Sequence, residues 1–263
     1  MSEVPQWPRE VTATEVHKPA AGKIAILVAG LVGKTGKSTV SANVLHSRIG
    51  GRLFSVDSVN QDVTEYGAEV EPIFAGDLHE MRLKMFRTRE PVVVDLGASD
   101  FTTFVKQMAA ANMARSFNYV VIVSDVSRRG QEEALTTYET LRRFGMPNDR
   151  FRFVLNKADF SRAMRLQYSV LFTYKYKNPD FPLNEKCYLP EHGLFRALQE
   201  SGQSYMDALN DKTDYDPLIT KADLEGDDAT AVSLSRKAFA QALAASMVEY
   251  FERAYQELAI QPK

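Results

Sequence analysis

The chain has 263 residues, a formal net charge of −2 and one cysteine, Cys187. That balance excludes an overall electrostatic grip on nucleic acid but leaves room for a local basic patch. A single cysteine excludes an internal disulfide, which fits a reducing cytosol. The length suffices for a sizeable core. No apolar run approaches the roughly 20 residues that span a bilayer, and the N-terminus lacks a basic-then-apolar signal pattern. A cytoplasmic protein with no membrane partner is expected.

Residues 1–22 hold Pro5, Pro8 and Pro19 without a regular period and read as an arm, on which Trp7 can dock to the body or to a partner. The apolar run from Lys23 to Ala29 reads as a buried strand, and Val40 to Arg48 as a helix. Between them lies Gly33-Lys34-Thr35-Gly36-Lys37-Ser38-Thr39. A strand, a glycine-bearing turn and a helix opening on Gly-Lys-Ser make a phosphate cradle: backbone N–H groups point inward and the helix N-terminus adds partial positive charge. Lys37 supplies a point charge for phosphate oxygens, and Ser38 a hydroxyl for Mg²⁺. The loop is a variant, because Leu31 stands where a standard P-loop has its first glycine.

Gly50-Gly51 stops the helix, and Arg52 to Val56 reads as a second strand ending at Asp57. Parallel sheets place ligands outside the carboxyl ends of their strands, so Asp57 lies beside the loop if the two strands are neighbours. It can then hold the magnesium shell or orient the attacking water, or simply begin a polar loop. Asp77 and Glu80 have capping-box spacing ahead of a helix that ends before Pro91. Val92-Val93-Val94-Asp95 is an apolar strand ending in a carboxylate, the Walker B pattern that reaches Mg²⁺. Leu96-Gly97-Ala98-Ser99 follows, where backbone N–H groups can face the terminal phosphate.

Phe104 to Met113 and Gln131 to Phe144 read as helices; Tyr119 to Val123, Phe151 to Leu155 and Lys186 to Leu189 read as strands. Asn156-Lys157-Ala158-Asp159 sits at a strand end. Strands alternating with helices, several apolar throughout, mean an α/β fold: a mostly parallel sheet with helices on both faces. In segment 161–185, Arg162, Arg165, Lys175 and Lys177 interleave with Tyr168, Phe172, Tyr174 and Tyr176. That mixture suits nucleic acid or an acidic partner, or a half-buried helix with solvated charges. Residues 206–229 are acidic and read as a solvated linker. Residues 230–263 read as a long terminal helix, with Phe239, Leu243, Met247, Phe251, Tyr255 and Leu258 on one face and Asp228 as a candidate cap.

Together these pieces resemble the ParA/MinD family of deviant Walker A ATPases, and within it the StbB-type plasmid stability proteins, over roughly residues 23–205. The family loop falls on Val32 to Thr39, and its second aspartate-bearing strand end on Asp57, with Gln61 on its glutamine. Walker B falls on Asp95 and the adenine contact on Asn156, while Leu189-Pro190, Ala197 and Gly202 match its closing pattern. StbB-type likeness lies in Asp57 to Asp62, Val94 to Ser99 and Phe101 to Met108. The resemblance implies a P-loop NTPase domain over 23–205 with 161–185 inserted, an ATP and Mg²⁺ requirement, and a homodimer closed by Mg-ATP and opened by slow hydrolysis. It also implies work in plasmid segregation with a DNA-binding adaptor or partition partner. Val32 stands where the family's cross-dimer lysine would be, and Lys34 comes two residues later. Asn156-Lys157-Ala158-Asp159 also has the N-K-x-D form by which GTPases read guanine, so GTP stays open beside ATP. Two rivals are a nucleotide-gated adaptor with negligible turnover and a metabolic P-loop enzyme, either a dethiobiotin-synthetase-like ligase or a small-molecule kinase.

Overall fold

A computed structural model of the chain describes residues 24–58 and 70–261. The expected arm with Trp7, together with Lys23, Asn60, Gln61 and Asp62, lies outside them. In chain order the main elements are β1 (Ala25–Ala29), α1 (37–49), β2 (Arg52–Val56), β3 (Val70–Pro72) and α2 (Leu78–Arg87). Then come β4 (Val92–Leu96), α3 (Phe101–Ala110), β5 (Tyr119–Ser124), α4 (Arg128–Arg143), β6 (Phe151–Ala158) and α5 (Ser169–Lys177). The chain closes with β7 (Tyr188–Pro190), α6 (Leu194–Ser201), α7 (Tyr205–Asn210), α8 (Asp216–Leu224) and α9 (Asp228–Glu257).

The seven strands form one parallel sheet in the order β3-β2-β4-β1-β5-β6-β7. The central strands read as unbroken apolar runs because both faces are covered. Alternate residues of β1 point to opposite layers. Leu27 packs with α2, α3, α4 and α5, whereas Ile26 and Val28 pack with α1, α6, α7 and α9. Each such fully buried aliphatic side chain contributes about 1.5–3 kcal/mol of transfer free energy. Register then places the site. Val28 pairs with Asp95, and Ser55 pairs with the same residue from the other side. The tips of β1, β2 and β4 therefore end together, with the loop after β1 between them.

Local chemistry explains the helix ends. Asp77 accepts a hydrogen bond from the Glu80 amide at 3.1 Å, and Ser127 accepts from Gly130 at 3.0 Å. Helix α1 is wound more widely over Val40–His46, where backbone bonds reach five residues back, as from Ser47 to Ala42. Such π-type turns concentrate at functional sites.

Some readings need correction. The stretch 206–229 is not a featureless linker: α7 and α8 occupy most of it. Ser204 caps α7 by accepting from Asp207, Pro217 sits at the start of α8, and Tyr215 and Ala222 are buried. Helix α9 begins at Asp228, two residues before the expected 230, and its cap is Asp227, which accepts from Thr230. Phe239 is 59 % exposed, because the buried stripe of α9 runs through the neighbouring Ala240 instead. Ala240, Ala244, Met247, Phe251 and Ala254 form its buried stripe. Helix α3 starts at Phe101 rather than Phe104, and β6 runs on to Ala158. The three-residue edge strand β3 gave no period to read.

Candidate functional site

A cavity of about 530 Å³ opens over the carboxyl ends of β1, β2, β4, β6 and β7. Its floor is the loop between β1 and α1. Gly36 holds φ 95°, a backbone form closed to most side chains, and a Cβ there would lie 2.1 Å from the Asn156 amide nitrogen. That amide donates to the Thr35 carbonyl at 2.7 Å, so β6 and the loop lock together where only glycine fits. Lys34 takes a left-handed conformation with φ 62°, as does Lys157, and the Lys157 ammonium donates to the Lys34 carbonyl at 3.0 Å. Two non-glycine residues in this region at one site indicate backbone held for a purpose rather than relaxed.

Lys37 is only 7 % exposed. Its ammonium donates to the Val32 carbonyl at 2.6 Å, curling back over the loop. Burial pulls its pKa below the usual lysine value, and the carboxylates of Asp95 and Asp57 oppose that shift. One buried ammonium beside two carboxylates leaves a net negative charge, so a polyanion fits here together with a divalent cation.

Asp57 and Asp95 both line the cavity, with Ser38 at the helix start between loop and acids. Gly97 lets Asp57 approach: a Cβ at 97 would meet the Asp57 carboxyl carbon at 2.7 Å. Ser99 donates to Asp57 at 3.4 Å and to Asp100 at 3.1 Å, and Asp100 also accepts from the Ser58 amide at 2.6 Å. The tips of β2 and β4 are thus cross-tied.

Of the residues singled out from sequence, Gly33, Lys34, Gly36, Lys37, Ser38, Thr39, Asp57, Asp95, Asn156 and Pro190 all line this one cavity. Thr35 lies beneath it, 2 % exposed, with a hydroxyl that has no hydrogen-bond partner among the described residues. Asp159 does not line it. Its carboxylate accepts from the amide and hydroxyl of Ser161 at 2.9 and 2.7 Å, which holds its pKa below the usual aspartate value. Sequence reading named Lys157 only within the N-K-x-D form and missed Glu191, His192 and Phe195; these four complete the wall. The closing Pro190 was the available signal for Glu191 and His192, which follow it directly. Burial lowers the His192 pKa, and its ring nitrogens meet the Leu194 amide at 3.2 Å and the Ser246 hydroxyl at 3.3 Å.

The residues present fit a magnesium-bound nucleoside triphosphate. Position 36 of the loop is closed to a side chain, a buried ammonium faces two carboxylates, and a serine hydroxyl and a threonine hydroxyl without a partner among the described residues supply further oxygens. Hard oxygen donors next to phosphate are what Mg²⁺ takes.

No family model and no curated protein matches the chain. Among solved structures it is similar to the MinC:MinD cell division protein complex of Aquifex aeolicus, at TM-score 0.47 and 12% identity over 81% of this chain and 94% of that one. It is similar to a ParA family ATPase from Chlorobium tepidum, at TM-score 0.46 and 14% identity over 89% and 99% of the two chains. It is also similar to a plasmid partition protein from Borrelia burgdorferi, at TM-score 0.43 and 14% identity over 65% and 91%.

Proposed function

We propose that this chain is a cytoplasmic ATPase of the nucleotide-gated positioning type, acting in plasmid segregation or stability as a homodimer that Mg-ATP closes and slow hydrolysis opens. The observation that carries the reading is the meeting of Lys37, Ser38, Asp57 and Asp95 on one cavity above the glycine-bearing loop. When bound, Mg-ATP supplies a triphosphate whose charge the metal partly neutralises.

The chain's own residues do the rest. Lys37 is held desolvated, so its charge acts at full strength on phosphate oxygens. Ser38 and Asp95 would hold the metal. Asp57, kept close to the loop by the gap at Gly97, would orient the attacking water. Phosphoryl transfer needs mostly this kind of positioning and charge neutralisation. Asn156 would contact the base, with Pro190 on the adjoining strand β7. Adenine is favoured over guanine because the Asp159 carboxylate is turned to Ser161 and is absent from the cavity wall. Among the described residues no helix is long and apolar enough to cross a membrane.

The deciding experiment measures ATP affinity and phosphate release for the parent and for Lys37→Ala, with and without plasmid DNA and a candidate partner protein. The proposal expects turnover that falls on the order of 10²-fold or more in the variant. Unchanged affinity and turnover in Lys37→Ala would remove it. ATP binding with no release under any condition would leave a nucleotide-gated adaptor instead.

A further inference from the structure

A second cavity, of about 470 Å³, lies away from the nucleotide site, on the segment between β6 and β7. Arg165, Lys175, Lys186, Phe172 and Tyr176 line it with Glu185, whose carboxylate pairs with Arg165 at 3.2 Å. The Arg165 guanidinium rests 5.8 Å from the Phe172 ring centre, while Tyr176 and nearby Leu166 are 88 % and 71 % exposed. Between residues 161 and 186 the chain carries five cations against two acids, a net charge of +3. Basic side chains framing exposed aromatic and aliphatic ones are a docking surface for an acidic partner with apolar anchors.

One such partner is present in the same chain. Helix α8 and the first half of α9 pack as a hairpin, and Ala222 is the buried contact of α8. Leu224 is 82 % exposed, Phe239 59 % and Val232 50 %, an unusual apolar display for a solvent-facing hairpin. From Asp216 to Leu243 the hairpin carries five carboxylates against Lys221, Arg236 and Lys237, a net charge of −2. The two surfaces complement each other in both charge and apolar content.

They are kept apart within one molecule. Tyr168, Leu171 and Phe181 of the basic segment belong to the core layer on one face of the sheet. Ala240, Ala244 and Met247 of α9 belong to the layer on the other face. Among the described residues no hydrogen bond or ion pair joins the segments. We infer that the α8–α9 hairpin of one copy docks on the basic-aromatic cavity of a second copy. Two copies related by a two-fold axis satisfy both hairpins and both cavities at once, as isologous contacts do. This contact is separate from nucleotide-driven closure and does not depend on the reading of the loop.

The test uses full-length protein without nucleotide, in sedimentation velocity at about 50 mM and about 500 mM salt, since screening separates charge-driven contacts from apolar ones. Association at low salt that weakens at least tenfold at high salt is expected. One variant carries Arg165→Glu, Lys177→Glu and Lys186→Glu, all at exposed positions; the other carries Asp216→Lys, Asp223→Lys and Glu225→Lys. Each should be monomeric alone, and an equimolar mixture should associate again, because the reversed charges match once more. Circular dichroism melts check that both fold. A monomeric parent at low salt, or folded variants whose mixture stays monomeric, would overturn the inference. So would a parent whose association survives both reversals while the basic variant alone loses binding to a DNA oligonucleotide, which would give the cavity to nucleic acid. Lys37→Ala should associate like the parent, so loss of nucleotide binding and loss of this contact are read separately.

Discussion

Asn156 at the end of β6 holds Thr35 of the loop by one 2.7 Å hydrogen bond, and the same amide fills the space where a side chain at position 36 would have to go. The Tyr168 hydroxyl in turn donates to the Asn156 carbonyl at 2.6 Å, so the loop is braced from a strand two places away in the sheet. The cradle is therefore shaped from outside as well as by its own glycines.

Gly36→Ala meets both a left-handed φ and that amide. We expect nucleotide affinity to fall by about tenfold or more, the scale of 1.4 kcal/mol. Asn156→Ala leaves the Thr35 carbonyl unpaired, a loss of about 1–3 kcal/mol that a thermal melt would register as a lower Tm. Calorimetric titration showing Gly36→Ala binding as tightly as the parent would refute the bracing.

Gly97→Ala tests the approach of Asp57. Its Cβ would sit 2.7 Å from the Asp57 carboxyl carbon, so the aspartate must swing away. The expected outcome is a loss of turnover larger than the loss of ATP affinity, measured as kcat against KM. A raised KM with kcat unchanged would place Asp57 in binding only.

Lys37 carries a stability cost at neutral pH. Its folded pKa lies below 10.5, mainly through burial. Between the folded value and 10.5 the unfolded chain holds more protons, so stability rises with pH across that window, and the cost is fully present below it. Lys37→Met should bind no nucleotide yet melt at or above the parent temperature at pH 7, with the advantage shrinking toward pH 10. A melt several degrees below the parent at pH 7 contradicts this.

Cys187 is 1 % exposed, and burial pushes its thiol pKa up to about 12. Thiolate is the reactive form, so the native protein should resist iodoacetamide at pH 8 and react only when unfolded. Mass spectrometry before and after denaturant would show it, and rapid native labelling would argue against this packing.

Much of the fold was legible because buried parallel strands announce themselves. Val92 to Val94 and Tyr119 to Val123 are apolar without interruption, and the loop sits where strand and helix require it. The site was legible to the extent that its residues end strands: register alone carries Asp95 to the loop. The rest depended on three-dimensional context. β3 is too short for a period, and α7 and α8 hide in acidic sequence because burial of Tyr205, Tyr215 and Ala222 outweighs composition. Glu191 and His192 reach the cavity through the turn after β7, and Phe195 through the first turn of α6, whose direction no spacing encodes. Asp159 matched a guanine-reading pattern, but Ser161 two residues on captured its carboxylate.

The order of the sheet also bears on how the chain reaches this shape. β1 emerges first of the described strands, yet Ile26 pairs with Val93 and Tyr119, residues 67 and 93 positions downstream. Its most hydrophobic segment must wait on the ribosome or a chaperone until β5 has been made, because such distant pairings close slowly. A truncation ending before Tyr119 would leave that middle strand with an open edge and should aggregate rather than form a smaller domain.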